Sequence, residues 1–176
     1  MRLLAISGSL RARSSNGEVL AAIAGLAPEG VEVDTVSAAF LAALPAFNPD
    51  DDGENATPPE AVAVWRDTVG GAAGLIVSSP EYAHGVPGAL KNALDWLVSS
   101  PVVIDKPVAL INASPRSKFA HAQLAETLRT MSTRVIEAAT IELPISRGLD
   151  ARAILEDRKL AEPLAVALQA LIDAVA

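Results

Sequence analysis

Short apolar runs alternate with helix-period segments along the whole chain, and this alternation constrains the fold more than any other feature. It is the signature of βαβ units, whose parallel strands are buried on both faces by crossover helices. Arg2 to Ser7 reads as a first strand. Asn16 to Leu26 reads as a helix, with Val19, Leu20, Ile23 and Leu26 on one face. Pro28-Glu29-Gly30 turns the chain into Val31 to Val36, whose alternation predicts a strand exposed on one side, at a sheet edge. Gly74 to Ser79, Val108 to Asn112 and Arg134 to Thr140 supply three more strands. A helix is expected from Pro58 with Thr57 as its cap, another after Val86 starting with Pro87, and a third over Ala120 to Met131. The C-terminal helix carries Leu160, Leu164, Ala167, Leu168, Leu171, Ile172 and Val175 on one face, with Pro163 in its first turn or kinking it. Ser37 to Pro59 has no clean period and holds Pro45, Pro49, Pro58 and Pro59 beside Asp50-Asp51-Asp52; it reads as a long loop. Five strands and five helices predict a three-layer α/β sandwich with a five-stranded parallel sheet of order 2-1-3-4-5, since right-handed crossovers leave few alternatives. At 176 residues, one domain over residues 1–176 is expected.

Composition removes several functions. A formal net charge of −7 argues against nucleic-acid binding, which needs a basic face to displace phosphate counterions. The absence of cysteine excludes disulfides, thiolate catalysis and cysteine-held iron–sulfur clusters. His84 and His121 are the only histidines, and no carboxylates accompany them at a metal-ligand spacing, so no metal is expected. No apolar run approaches the ~20 residues of a membrane span, and no targeting segment is visible. A soluble cytoplasmic protein is the expectation.

The chemistry concentrates in two strand-to-helix turns, at the carboxyl ends of parallel strands where open α/β sheets bind ligands. The first is Ser7-Gly8-Ser9-Leu10-Arg11-Ala12-Arg13-Ser14-Ser15-Asn16. A phosphate monoester needs several convergent donors. Ser9, Ser14, Ser15 and Asn16 offer side chains, Arg11 a guanidinium, and the helix start its free N–H groups. Gly8 would let the backbone bend close to the anion. Helix capping alone would explain Ser14, Ser15 and Asn16, but it does not ask for Gly-Ser before them and Arg11 beside them. Neither Gly-x-x-x-x-Gly-Lys-Ser/Thr nor Gly-x-Gly-x-x-Gly is present, which disfavours ATP hydrolysis and a Rossmann dinucleotide site.

The second turn runs from Ser79-Pro80-Glu81-Tyr82-Ala83-His84-Gly85 through Val86-Pro87-Gly88. Pro80 and Pro87 stiffen its ends, Gly85 and Gly88 permit unusual angles or close approach, and Tyr82 suits a flat aromatic ring. A flavin ring needs fixed N–H donors near N5 and its pyrimidine edge, where negative charge develops on reduction. Tyr82 could equally be a half-buried anchor and His84 a solvated loop residue. Trp65 and Trp96 read as core. A phosphate turn beside a ring-binding turn suggests a flavin mononucleotide (FMN) site.

Gly8-Ser9-Leu10-Arg11-x-x-Ser14-x-Asn16 and Ser79-Pro80-Glu81-Tyr82 with Pro87-Gly88-x-Leu90-Lys91-Asn92-Ala93-Leu94-Asp95-Trp96 resemble the two hallmark motifs of the NADPH-dependent FMN reductases. This flavodoxin-like family includes quinone, chromate and azo-dye reductases. Leu44-Pro45-Ala46-Phe47-Asn48-Pro49-Asp50 also resembles its stretch after the second strand, and the match runs from Met1 to about Met131. The resemblance implies that Ser9, Arg11, Ser14 and Asn16 hold the FMN phosphate and that Pro80, Glu81, Tyr82 and Ala83 line the isoalloxazine ring. It implies NADPH or NADH as cosubstrate, a quinone-like acceptor, and a homodimer or homotetramer built partly on the helix after Pro87. There are two departures. Ala83 stands where many members carry Asn, and Ser114-Pro115-Arg116-Ser117-Lys118-Phe119-Ala120 replaces a glycine-rich loop that abuts the flavin. Ser114 and Arg116 are then expected in the third wall. Arg116 with Lys118 would offset the chain's negative charge toward the 2′-phosphate of NADPH.

The expectation is an FMN-dependent NAD(P)H oxidoreductase with no acid–base residue of its own, since hydride transfer asks the protein for orientation and charge stabilisation. The alternative is a flavodoxin-like electron carrier without turnover of small molecules, whose acidic surface would dock on a basic partner. A phospho-acceptor receiver is disfavoured, because the first strand ends in Ser7-Gly8 without an acidic pair.

Overall fold

In the computed structural model, which describes residues 1–53 and 56–176, five parallel strands form one sheet. They are β1 (Arg2–Ser7), β2 (Glu32–Thr35), β3 (Gly74–Ser78), β4 (Pro107–Asn112) and β5 (Arg134–Glu142), in the spatial order β2-β1-β3-β4-β5. This is the expected order, and β2 lies at the edge, as its alternation implied. Side chains of the three inner strands alternate between two cores. Leu4, Ile6, Leu75, Val77, Val108 and Leu110 face one helical layer, while Leu3, Ala5, Ile76, Ala109 and Ile111 face the other. Period-two alternation between two buried faces is why these strands read as continuous apolar runs.

The first layer comprises α2 (Ala38–Ala43), α3 (Glu60–Gly70), α4 (Gly88–Asp95) and α5 (Lys118–Thr130). Its two fully buried tryptophans are satisfied: Trp65 Nε1 donates to Ala93 O at 2.8 Å and Trp96 Nε1 to Pro45 O at 2.8 Å. The second layer comprises α1 (Ser15–Gly25), α6 (Ala151–Glu156) and α7 (Arg158–Val175).

Several details depart from the sequence reading. The supposed loop 37–59 contains α2, capped by the Ser37 side chain on Phe40 N, and a single 3-10 turn over Pro49–Asp51. α3 starts at Glu60 after Pro59, with no side-chain cap, so Thr57 does not play that part. Helix α6 is an addition, and Pro163 lies inside α7 beyond its first turn, where it removes one internal hydrogen bond. The described residues thus hold seven α-helices where five were expected.

Candidate functional site

The loops leaving the carboxyl ends of β1, β3, β4 and β5 wall a cleft of about 530 Å³. That size falls among small-molecule and cofactor sites. The cleft brings together Ser9, Arg11, Ser14, Ser15 and Asn16 from the first turn, Pro80, Glu81 and Tyr82 from the second, and Ser114 and Arg116 from the third. Ala83 and Lys118, the remaining sequence candidates, stand outside its lining.

In the first turn, Ser9 is buried. Its backbone N–H donates to Ser7 Oγ at 3.2 Å and its Oγ accepts from Arg11 N at 3.3 Å. Ser14 caps α1, its Oγ accepting from Gly17 N at 3.0 Å. Asn16 is buried, and its Oδ1 accepts from Ser78 Oγ at 2.9 Å, which leaves its amide nitrogen as the donor end. Ser14 and Asn16 therefore brace the turn as well as line it. Gly8 also serves packing between the turns. A Cβ there would lie 2.5 Å from Ser79 Oγ and 3.0 Å from Leu90 Cδ2, so glycine lets the first two turns pack against each other.

The second turn is a tight two-residue hairpin. Tyr82 N donates to Gly85 O at 3.1 Å and Gly85 N to Tyr82 O at 2.9 Å. Its central residues, Ala83 and His84, have φ of 50° and 60°, the left-handed angles of a type I′ turn. The unusual angles expected of Gly85 and Gly88 thus fall on Ala83 and His84 instead. Tyr82 is half exposed on the cleft rim, and His84 stacks on Phe119 with centroids 4.4 Å apart.

Two carboxylates line the cleft, and both are engaged by backbone donors of neighbouring loops. Glu81 Oε2 accepts from Ala120 N at 2.9 Å in the first turn of α5, and Glu18 Oε2 from Ala151 N at 2.9 Å at the start of α6. Each ties one wall to the next. Against them stand four exposed arginines: Arg11, Arg13, Arg116 and Arg147. Among the described residues none of these guanidiniums has an ion-pair partner. A cleft this cationic, in a chain of net charge −7, suits a polyanionic ligand.

The donor set fits FMN. Serine hydroxyls, an amide and guanidiniums crowd the N-terminus of α1, where a phosphate is best stabilised. Ser117 Oγ, buried on the cleft wall, has no hydrogen-bond partner among the described residues, an orphan that a polar ligand group would satisfy. Among the described residues no group of three His, Asp or Glu is placed to hold a metal. The sequence reading missed Glu18, Ser117, Arg147 and the β5–α6 connection. Glu18 reaches Ala151 across 133 residues of chain, and no local pattern announces such a contact.

An open parallel sheet of this strand order, with helices on both faces and a cleft at the carboxyl ends of its strands, defines a flavodoxin-like α/β protein. The family model of the NADPH-dependent FMN reductases matches residues 1–146. The chain belongs to that family. It is 32% identical to an NAD(P)H-dependent FMN reductase of Pseudomonas aeruginosa over 97% of this chain and 93% of that one. It is 34% identical to a quinone reductase of Escherichia coli K12 over 62% of this chain, an alignment that spans 55% of the relative's length. In structure it is similar to the flavoenzyme NAD(P)H:(acceptor) oxidoreductase FerB of Paracoccus denitrificans. The TM-score is 0.75 at 24% identity, covering 99% of this chain and 96% of that one. Among the described residues no helix is long and apolar enough to cross a membrane.

Proposed function

We propose that this chain is an FMN-dependent oxidoreductase that takes reducing equivalents from NAD(P)H and passes them to a quinone-type acceptor. The observation that carries this reading is the cleft itself: exposed arginines and serine hydroxyls gather at the N-terminus of α1, beside a tight hairpin bearing Tyr82. When bound, the flavin supplies the redox chemistry, accepting hydride from the nicotinamide and returning electrons to the acceptor.

The chain's own residues bind and orient. Ser9, Arg11, Ser14, Ser15 and Asn16 hold the phosphate. Pro80, Glu81 and Tyr82 form the wall against the ring, Ala83 shapes the hairpin from outside the lining, and Glu81 acts by fixing that wall to α5. Ser114 and Arg116 belong to the third wall, and Arg116, exposed on the cleft, would meet the 2′-phosphate of NADPH. Lys118, outside the lining, has no part in this reading. No side chain is required to move a proton for hydride transfer. The protein functions as a single FMN-binding domain over residues 1–176, in the cytoplasm, as a homodimer or homotetramer.

Anaerobic mixing of the FMN-loaded protein with NADPH tests the reading. The flavin absorbance near the visible maximum should bleach within turnover time and recover on adding a quinone. A flavin that NADPH and NADH both leave oxidised would return the protein to the class of electron carriers.

A further inference from the structure

The cleft's fourth wall comes from the β5–α6 connection, residues Leu143 to Asp150, of which everything after position 146 lies beyond the family match. Its construction is specific. Ile145 is buried and Leu149 packs on the same core, so the residues between them are held at both ends. Leu149 N donates to Ser146 O, closing a four-residue turn, and Gly148 has φ +89°. That is the angle the third position of a type II turn requires. The second position, at the crest, is Arg147, which is exposed and lines the cleft. Beyond the turn, Asp150 caps α6 on Ala153 N at 2.8 Å, and Ala151 N donates to Glu18 Oε2 at 2.9 Å. Glu18 sits in the first turn of α1, the helix whose N-terminus faces the phosphate site.

We infer that Arg147 is a specificity residue for the phosphorylated flavin: it supplies a guanidinium to the phosphate monoester from outside the first turn, and the Glu18–Ala151 tether positions it. The inference rests on the FMN reading above and adds to it a residue from outside the shared motifs. Arg11 and Arg13 are the charged groups of the first turn, and both reach the cleft from the α1 side, so a phosphate carrying up to two negative charges still gains from a guanidinium on a different wall. Arg147, free of any ion-pair partner among the described residues, supplies that guanidinium from the fourth wall. A guanidinium is well shaped to bridge two phosphate oxygens. Because the tether joins the loop to the first turn of α1, Arg147 is assigned to the phosphate end of the cleft.

The test is fluorescence titration of the full chain, freed of flavin, with FMN and with riboflavin, which differ only in the phosphate. In the unmodified protein, failure to bind either flavin would defeat the FMN reading itself. Given binding, Arg147→Ala should weaken FMN at least ten-fold, the order expected of one charge-assisted hydrogen bond, and leave riboflavin unchanged. Arg147→Lys should recover part of the loss, and the dependence of FMN affinity on salt should become shallower in the alanine variant. Glu18→Ala, which keeps the arginine and frees the turn, should weaken FMN in the same direction by less. Unchanged FMN affinity in Arg147→Ala would overturn the inference. So would equal losses for both flavins, which would mark a merely structural turn. An effect confined to kcat/KM for NADPH would also overturn it, by placing Arg147 on the dinucleotide.

Discussion

Ala83 and His84 sit side by side in a conformation that costs an ordinary L-residue about 1–2 kcal/mol, held by the Tyr82–Gly85 hydrogen-bond pair. Strain of this kind persists where the surroundings over-determine it, and here it shapes the hairpin carrying Tyr82 to the cleft rim. Asparagine tolerates the left-handed region better than alanine, so Ala83→Asn should raise stability by about 0.5–1 kcal/mol. Ala83→Val should lower it, since a β-branched side chain is an outlier at such angles. Thermal denaturation of the two variants checks the sign; a lower Tm for Ala83→Asn would mean that the turn's angles impose no strain on alanine. Arg11 makes the second case at this scale. Its backbone is fixed by Ser9 Oγ while its guanidinium stands exposed on the cleft without a partner among the described residues. Arg11→Ala should therefore weaken FMN by roughly 1.5–3 kcal/mol, the usual worth of a hydrogen bond to a charged group, and barely change riboflavin. Equal losses in parallel calorimetric titrations would remove Arg11 from the phosphate site.

At the scale of elements, one carboxylate anchors the 3-10 turn that follows α2. Asp52 Oδ1 lies 2.6 Å from Arg66 Nη2, and Ser99 Oγ donates to Asp52 Oδ2 at 2.6 Å, with the Asp52 side chain only 7% exposed. Arg66 Nε also donates to Trp96 O at 2.9 Å, so the contact joins three stretches of chain. Burial by itself would raise the Asp52 carboxyl, but the Ser99 hydroxyl and the Arg66 guanidinium outweigh it and hold it below its ordinary value. The folded state thus binds this proton less readily than the unfolded one. Its stabilisation is complete above the ordinary carboxylate pKa of about 3.9 and fades as the pH falls through the lower folded-state value. Asp52→Asn should lose about 1–3 kcal/mol near neutrality, and the deficit should shrink in acid. Urea unfolding at pH 7 and pH 3 measures it; a deficit independent of pH would mean the carboxylate's charge contributes nothing. How much of this scale was legible follows from the range of the forces. Strands, their order and the two motif turns rest on local periodicity and short spacings, and the sequence displayed them. Helix α2 was hidden among prolines, although Ser37 before Ala-Ala-Phe-Leu is a capping signal. Asp150 and Asp157 were comparable signals for α6 and α7. The Glu18, Glu81 and Arg66 contacts join residues 133, 39 and 14 positions apart, and only the folded chain brings them together.

On the scale of the whole molecule, the sheet gathers loops from four strands around one cleft, and the charge distribution opposes the net charge there. The chain carries −7 in total, yet the cleft has four arginines without an ion-pair partner among the described residues, while its two carboxylates accept hydrogen bonds from the α5 and α6 backbones. An anionic dinucleotide repelled by the surface at large is thus attracted locally, a preference that salt should weaken. The same architecture dictates an order of events. Loops after β1, β3, β4 and β5 wall the cleft, and the prediction is that the nicotinamide and the acceptor use one and the same approach to the flavin between them. The two cannot occupy it together, so NADP⁺ must leave before a quinone enters. Initial rates measured over a grid of NADPH and quinone concentrations should accordingly give parallel double-reciprocal lines. At high concentration each substrate should inhibit competitively against the other, because both seek the same space. Intersecting lines would require a ternary complex, and with it a second approach to the flavin.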